Sequence, residues 1–380
     1  MLAFFASCWG KLTAALMSAI LSFGVSTGAF IEPTTTSAAD YYDAEIKNVI
    51  YLIGDGMGFN HLEKTKLEKD AVLTIDSFEV QGASRTRSIT NDVTDSAAGG
   101  TALACGVRTY NGAIGVYLLD PLDVFSHPFN LTELCRDRDM LTGVITTDET
   151  SGATPASFSA HAVDRGKSEN ITEDQLNSDI ELIWGTENGV ATKEMAEEKG
   201  YQYVTTYKEM LALEEGSKSF AQFTNELWGT KQADENTPTL SQMTEKAIDL
   251  LDDGENGFFL MVEGAHIDKH SHSNESENMT EAMLEFDKAI KIALDYAKEN
   301  GNTLVVVTAD HETGAITVND KGEYEFTSGS HSAADVPLRV YGSEKLIKND
   351  ETVNNYEIPI RIAYILGFKE DVFPVAKMVA

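Results

Sequence analysis

Positive charge is scarce in this 380-residue chain: 29 Lys and Arg stand against 61 Asp and Glu, a formal net charge of −32. A surface of that sign repels nucleic acid and anionic membranes, so no nucleic-acid-binding domain is expected. It also opposes the approach of an anionic substrate, so a phosphate site must be made positive locally, most simply by bound metal ions. Cysteine is scarce as well, with three residues in the whole chain. No internal repeat and no long Pro/Gly/Ser linker divides the sequence. Apolar residues, at 42%, are enough for a sizeable core, which excludes global disorder. The length suits one large α/β domain or two ordinary ones.

The N-terminus reads as an export signal over residues 1–39. Lys11 precedes an apolar run from Leu12 to Ile31, and Ser37-Ala38-Ala39 offers a small-x-small cleavage site before Asp40. A membrane anchor is the competing reading, because the run approaches spanning length. Removing the segment takes away only Lys11 and Glu32, so the net charge stays the same. Cys105 and Cys135 then remain, and can form one disulfide in an oxidising compartment if they meet. The expected location is periplasmic or secreted, with no stable membrane anchor after signal removal.

Four short apolar runs have the look of buried parallel strands. Asn48 to Ile53 runs into Gly54-Asp55-Gly56, and Leu141 to Thr147 is a second run. Gly257 to Val262 ends at Glu263, and Thr303 to Thr308 ends at Ala309-Asp310-His311. Between the last two, Glu281 to Lys298 carries apolar residues at helical spacing: Met283, Phe286, Ile290, Ala293 and Leu294. Strand, helix, strand is a βαβ unit, and the fold class expected is α/β, a three-layer α/β/α architecture with a large, mostly parallel central sheet. Residues 40–380 read as a single domain, with the acidic segment 167–255 as helices and loops elaborating it.

In such a sheet the active site lies beyond the carboxyl ends of the strands. Asp55, Glu263, Asp310 and His311 all fall there, so one crevice would collect them. Asp268, His266, His270 and His272 follow Glu263 closely, and Gly329-Ser330-His331 adds an imidazole among small residues. Carboxylates with imidazoles suit zinc, and carboxylates with a hydroxyl suit magnesium. The run Val93-Thr94-Asp95-Ser96-Ala97-Ala98-Gly99-Gly100-Thr101 places Ser96 at the first turn of a helix, where negative charge is favoured. Arg165 follows Ala153-Thr154-Pro155-Ala156 on an expected helix opened by Pro155, and beside a serine and metals it is a fork for phosphate oxygens.

These residues resemble the alkaline phosphatase family. Val93 to Thr101 is similar to its nucleophile signature. Gly54-Asp55-Gly56, Ala153-Thr154-Pro155, Arg165, Glu263-Gly264-Ala265 with Asp268 and His272, Asp310-His311-Glu312-Thr313-Gly314, and His331 resemble its other motifs in order, over roughly Lys47 to Gly342. The resemblance implies a phosphomonoesterase with two Zn2+ and one Mg2+, acting through a phosphoserine on Ser96. It implies Asp268, His272 and His331 for one zinc; Asp55, Ser96, Asp310 and His311 for the other; and Asp55, Thr154 and Glu263 for magnesium. It implies Asp95 as the residue orienting Arg165, and a homodimer.

Gly152 departs from the family, whose members usually carry Asp or His there, so Lys269 is expected to lack its usual partner. Whether Asp148 or Glu149 substitutes stays open. His161, His266 and His270 match no family ligand and are read as supporting or structural. With 20 positions from His311 to His331, there is little room for the insertion that some members use over the dimer interface. The competing functions are a phosphodiesterase or sulfatase of the same superfamily, and a non-catalytic secreted protein that binds metal or phosphate.

Overall fold

The four apolar runs become the centre of a ten-stranded sheet. In this computed structural model, which describes residues 37–117, 127–223, 229 and 234–369, the sheet strands in chain order are β1 (Asn48–Gly54), β2 (Val80–Arg85), β3 (Leu141–Glu149), β4 (Leu182–Thr186), β5 (Gln202–Val204), β6 (Ser219–Phe223), β7 (Phe258–Gly264), β8 (Thr303–Thr308), β9 (Val336–Tyr341) and β10 (Thr352–Asn354). Their order across the sheet is β10-β2-β9-β8-β1-β7-β3-β4-β6-β5. β9 runs antiparallel to β8 and β2. The remaining pairs are parallel. Every residue of β1, β7 and β8 is buried, which is why these strands read as unbroken apolar runs rather than alternating ones.

Helices cover both faces. Ile50, Leu52, Leu260, Val262, Val305 and Val307 pack into one core with Phe286 and Ile290 of the helix Ser276–Asn300. On the other face, Tyr51 and Phe259 meet Phe158 at ring-centroid distances of 5.9 and 6.1 Å. Alternation along the strands supplies both cores from the same residues. The helix begins five residues before the expected Glu281, because Ser276 to Thr280 continues its apolar face through Met279.

The segment from Lys167 to Glu255 differs from expectation. It has the expected helices, but β4, β5 and β6 also lie in it and extend the main sheet to one edge. Each is five residues or shorter. Such short runs, separated by acidic helices, carry too little periodicity to stand out. Cys105 and Cys135 are both buried as free thiols, so no disulfide joins them. Residues 1–36, most of the expected export signal, lie outside the described residues. No helix among the described residues is long and apolar enough to cross a membrane.

Candidate active site

The carboxyl ends of β8, β1, β7 and β3 lie side by side, and the register brings their chemistry together. Ile53 pairs with both Glu263 and Thr308, while Thr146 pairs with Glu263. Asp55 therefore leaves the sheet between Asp310, which follows β8, and Glu263 near the end of β7. Gly56 has φ +71°, and a Cβ there would lie 2.8 Å from the Asp268 Cβ. Glycine supplies the turn and lets that backbone approach at once.

Ser96 opens the helix Ser96–Cys105, which is buried along its whole length because Ala97, Ala98, Gly99 and Gly100 take so little room. Asp95 is its N-cap: Oδ1 accepts from the Ala98 N–H at 3.0 Å. Its Oδ2 accepts from the Gly112 N–H at 2.9 Å and from Arg165 Nη1 at 3.4 Å. Ser96 is only 5% exposed, and its hydroxyl lies 3.2 Å from His311 Nε2.

Two groups of metal-type donors adjoin at this point. Asp55, Asp310 and His311 present ligand atoms within 4.8 Å of one another, and Asp268, His272 and His331 do the same. His311 Nε2 is 3.4 Å from Asp55 Oδ1 and from Asp310 Oδ2. The His311 and His331 rings stack with centroids 3.6 Å apart. His331 Nδ1 donates to the Thr94 carbonyl at 2.9 Å and His272 Nδ1 to the Gly329 carbonyl at 2.8 Å. Carbonyls only accept, so both Nε2 atoms turn a lone pair into the site when the rings are neutral. Those two atoms are 3.1 Å apart, with Asp268 Oδ2 3.3 Å from His272 Nε2 and Oδ1 3.6 Å from His331 Nε2. Only a proton or a metal cation satisfies that arrangement.

The electrostatics agree. Burial and then the Asp310 charge hold the Asp55 carboxyl well above the usual range. Burial raises Asp310 to about 6, and burial followed by the Asp148 charge raises Glu263 to about 8. Burial pushes His311 down to about 4, whereas the hydrogen bond with Asp268 lifts His272 to about 9. Asp55 Oδ1, Asp310 Oδ2 and Thr154 Oγ1 are buried without a hydrogen-bond partner, although the Thr154 hydroxyl lies against the Glu263 carboxyl. Buried oxygens left in that state are costly unless cations meet them. The donor sets fit: imidazole with carboxylate for zinc in two groups, and the Asp55, Thr154 and Glu263 oxygens for magnesium.

A family model for alkaline phosphatase matches residues 46–183 and 173–351. The chain belongs to the alkaline phosphatase family. It is 34% identical over 338 residues to alkaline phosphatase 4 of Bacillus subtilis, covering 82% of this chain and 72% of that one. It is 30% identical over 390 residues to the alkaline phosphatase of Escherichia coli, covering 79% and 82%. The structure of the alkaline phosphatase from the Antarctic bacterium TAB5 matches with a TM-score of 0.71 at 32% identity, covering 85% of this chain and 98% of that one. A mutant of that enzyme with magnesium bound in its M3 site matches with a TM-score of 0.72, also at 32% identity, covering 85% and 99%. The protein is accordingly a metal-binding phosphoric-monoester hydrolase.

One open point closes in this chain and one expectation changes. Lys269 lacks a partner at 152 and takes Asp148 instead of Glu149: its ammonium ion-pairs with the Asp148 carboxylate, 121 positions away in sequence. Arg165 is not on the helix with Pro155, which spans only Ala153–Ser157; it sits in a later turn, its N–H donating to the Gly112 carbonyl at 2.8 Å. Asp95 both caps its helix and pairs with Arg165. The additional histidines are occupied elsewhere. His161 bridges Glu133 and the Gly115 carbonyl, His270 meets Glu275, and His266 touches the Thr147 hydroxyl. Sequence reasoning missed Thr313, whose hydroxyl donates to Asp268 and lies 3.2 Å from His311 Nδ1. Its signal was present, since Thr313 stands two residues after His311 and so shares its side of an extended chain.

Proposed function

We propose that the protein hydrolyses phosphate monoesters to alcohol and inorganic phosphate through a phosphoserine on Ser96, with two Zn2+ and one Mg2+ as cofactors. The observation that carries this reading is the Ser96 hydroxyl at a helix N-terminus, 3.2 Å from His311 Nε2 and beside orphaned Asp55 and Asp310 oxygens. Asp268, His272 and His331 would hold one zinc; Asp55, Ser96, Asp310 and His311 the other; and Asp55, Thr154 and Glu263 the magnesium. Divalent cations bound there supply Lewis-acid stabilisation of the attacking and leaving oxygens of an in-line displacement.

The residues of the chain do the rest. Ser96 Oγ attacks phosphorus, forming the Oγ–P bond as the bond from phosphorus to the ester oxygen breaks, and the alcohol departs with a proton. Water then cleaves the phosphoserine, returning Ser96 and releasing inorganic phosphate. Arg165, half-exposed at the rim, and the helix N-terminus hold the non-bridging oxygens. Asp95 keeps the arginine aimed. We further propose residues 1–39 as a cleaved export signal, 40–380 as one domain, a homodimer, and an extracytoplasmic location without a stable membrane anchor.

The test compares p-nitrophenyl phosphate with bis-p-nitrophenyl phosphate as substrates of the purified holoenzyme, and repeats the monoester assay with Ser96→Ala. The monoester should be strongly preferred, and Ser96→Ala should lose turnover and acid-trappable phosphoprotein while keeping its fold. Preference for the diester, or unchanged turnover in Ser96→Ala, overturns the reading.

A further inference from the structure

A lone ammonium group borders the proposed magnesium oxygens. Lys269 follows Asp268 on the helix His266–His272, and its ammonium pairs with Asp148, which Thr146 joins to the Glu263 carboxyl. An ammonium in that place has two options. It can turn inward to Glu263 and Asp55, excluding a divalent cation, or it can be drawn outward by another anion.

The geometry supplies the outward anion by local means. The β3–β4 ladder slips register between Ile145 and Glu149, the kind of irregularity that re-aims a side chain at the end of a strand. Asp148 lies in that slip. Its N–H donates to Thr146 Oγ1 at 2.8 Å, and the Thr146 hydroxyl in turn donates to the Glu263 carboxyl, so Asp148 is tied to a ligand oxygen of the site. Gly152, the N-cap of the helix Ala153–Ser157, leaves the space that Asp148 uses: a Cβ at 152 would lie 2.6 Å from Asp148 Oδ2 and 3.0 Å from its Cγ. The side chain absent at 152 is what allows the one at 148 to reach Lys269.

We propose that Asp148 is a positioning residue for magnesium, holding the Lys269 ammonium away from the Asp55, Thr154 and Glu263 oxygens so that a divalent cation can occupy them. The proposal rests on the assignment of those three residues to magnesium.

The experiment measures Mg2+ binding by titration calorimetry, with zinc content by elemental analysis, on full-length protein freed of magnesium. Four variants are compared with wild type: Asp148→Asn, Lys269→Met, the double variant, and Glu263→Gln. Asp148→Asn should weaken Mg2+ binding by about 10- to 100-fold, the range typical of groups that orient metal ligands, with zinc content unchanged. Lys269→Met should bind at least as tightly as wild type, and adding Asp148→Asn to it should change affinity by less than about threefold, because the paired residues act only together. Wild-type affinity in Asp148→Asn, or a loss that persists in the double variant, overturns the proposal. Magnesium bound as tightly by Glu263→Gln as by wild type overturns instead the assignment on which it rests.

Discussion

Asp95 uses two oxygens for three contacts, so replacing it separates the stability of the nucleophile helix from the aim of the phosphate clamp. Oδ1 caps the helix through Ala98, and Oδ2 receives both the Gly112 N–H and Arg165 Nη1. Asp95→Asn can keep the cap but turns an amide NH2 toward two donors. A charge-assisted hydrogen bond to a backbone N–H is worth about 1.5–3 kcal/mol. The arginine pair adds at most about 1 kcal/mol, because Arg165 is 42% exposed and water screens it. Asp95→Ala loses the cap in addition, about 1 kcal/mol more. The expected costs are then about 1.5–4 kcal/mol for Asn and about 1 kcal/mol more for Ala, read from urea unfolding. Release of Arg165 should raise KM for the monoester and the inhibition constant of inorganic phosphate together, by about 3- to 10-fold, equivalent to about 1 kcal/mol of binding. Equal stability losses in the two variants, or unchanged phosphate inhibition in both, would refute this division of labour.

Two further outcomes follow from the same geometry. In chelated protein, Glu263 and His272 have folded pKa values of about 8 and about 9, above their ordinary 4.5 and 6.5, so the fold binds extra protons there and loses stability as they leave. Below about pH 6.5 the buried His61 and His311, held down at about 3 and about 4, act in the opposite sense, so the decline belongs to the window from about pH 6.5 to 9. Calorimetric Tm of the chelated protein should fall across that window and recover on adding Zn2+ and Mg2+; a flat or rising Tm contradicts the reading. Thr313→Val removes the hydroxyl that binds Asp268 and receives His311 Nδ1. Zinc affinity in chelator competition should drop by about 10- to 100-fold with little change in volume, and an unchanged affinity counts against that role.

What the sequence made legible follows burial. β1, β7 and β8 stand out because both of their faces are covered, and their ends carry Asp55, Glu263 and Asp310. Those positions are local in sequence, so the ligand clusters could be found without coordinates. The short strands β4 to β6 have five, three and five residues, which is too brief for a period to emerge among acidic helices. The reversal of β9 was equally hidden, because an apolar run has no direction. The partner of Lys269 stayed open between Asp148 and Glu149 for a different reason. The pair depends on an irregularity in which the four steps from Ile145 to Glu149 answer two steps on β4, and such a bulge re-aims a side chain without leaving a mark in the sequence. Arg165 was identified by type but misplaced, since Pro155 sits in a helix of one short turn that ends at Ser157.

The net charge of −32 sharpens the problem that this site has to solve, because the substrate is itself an anion. The crevice gathers the carboxylates of Asp55, Glu263, Asp268 and Asp310, which would repel phosphate if they stood alone. With three divalent cations bound, these carboxylates leave roughly two positive charges in excess, enough to match a phosphate dianion. The neighbouring charges do not alter that balance, since Asp95 is set against Arg165 and Asp148 against Lys269. Arg165 can then contribute direction to phosphate binding while the surplus charge resides on the cations. On this reasoning a variant that unpairs Lys269 adds a positive charge yet binds phosphate less well, because the added charge displaces a cation carrying twice as much.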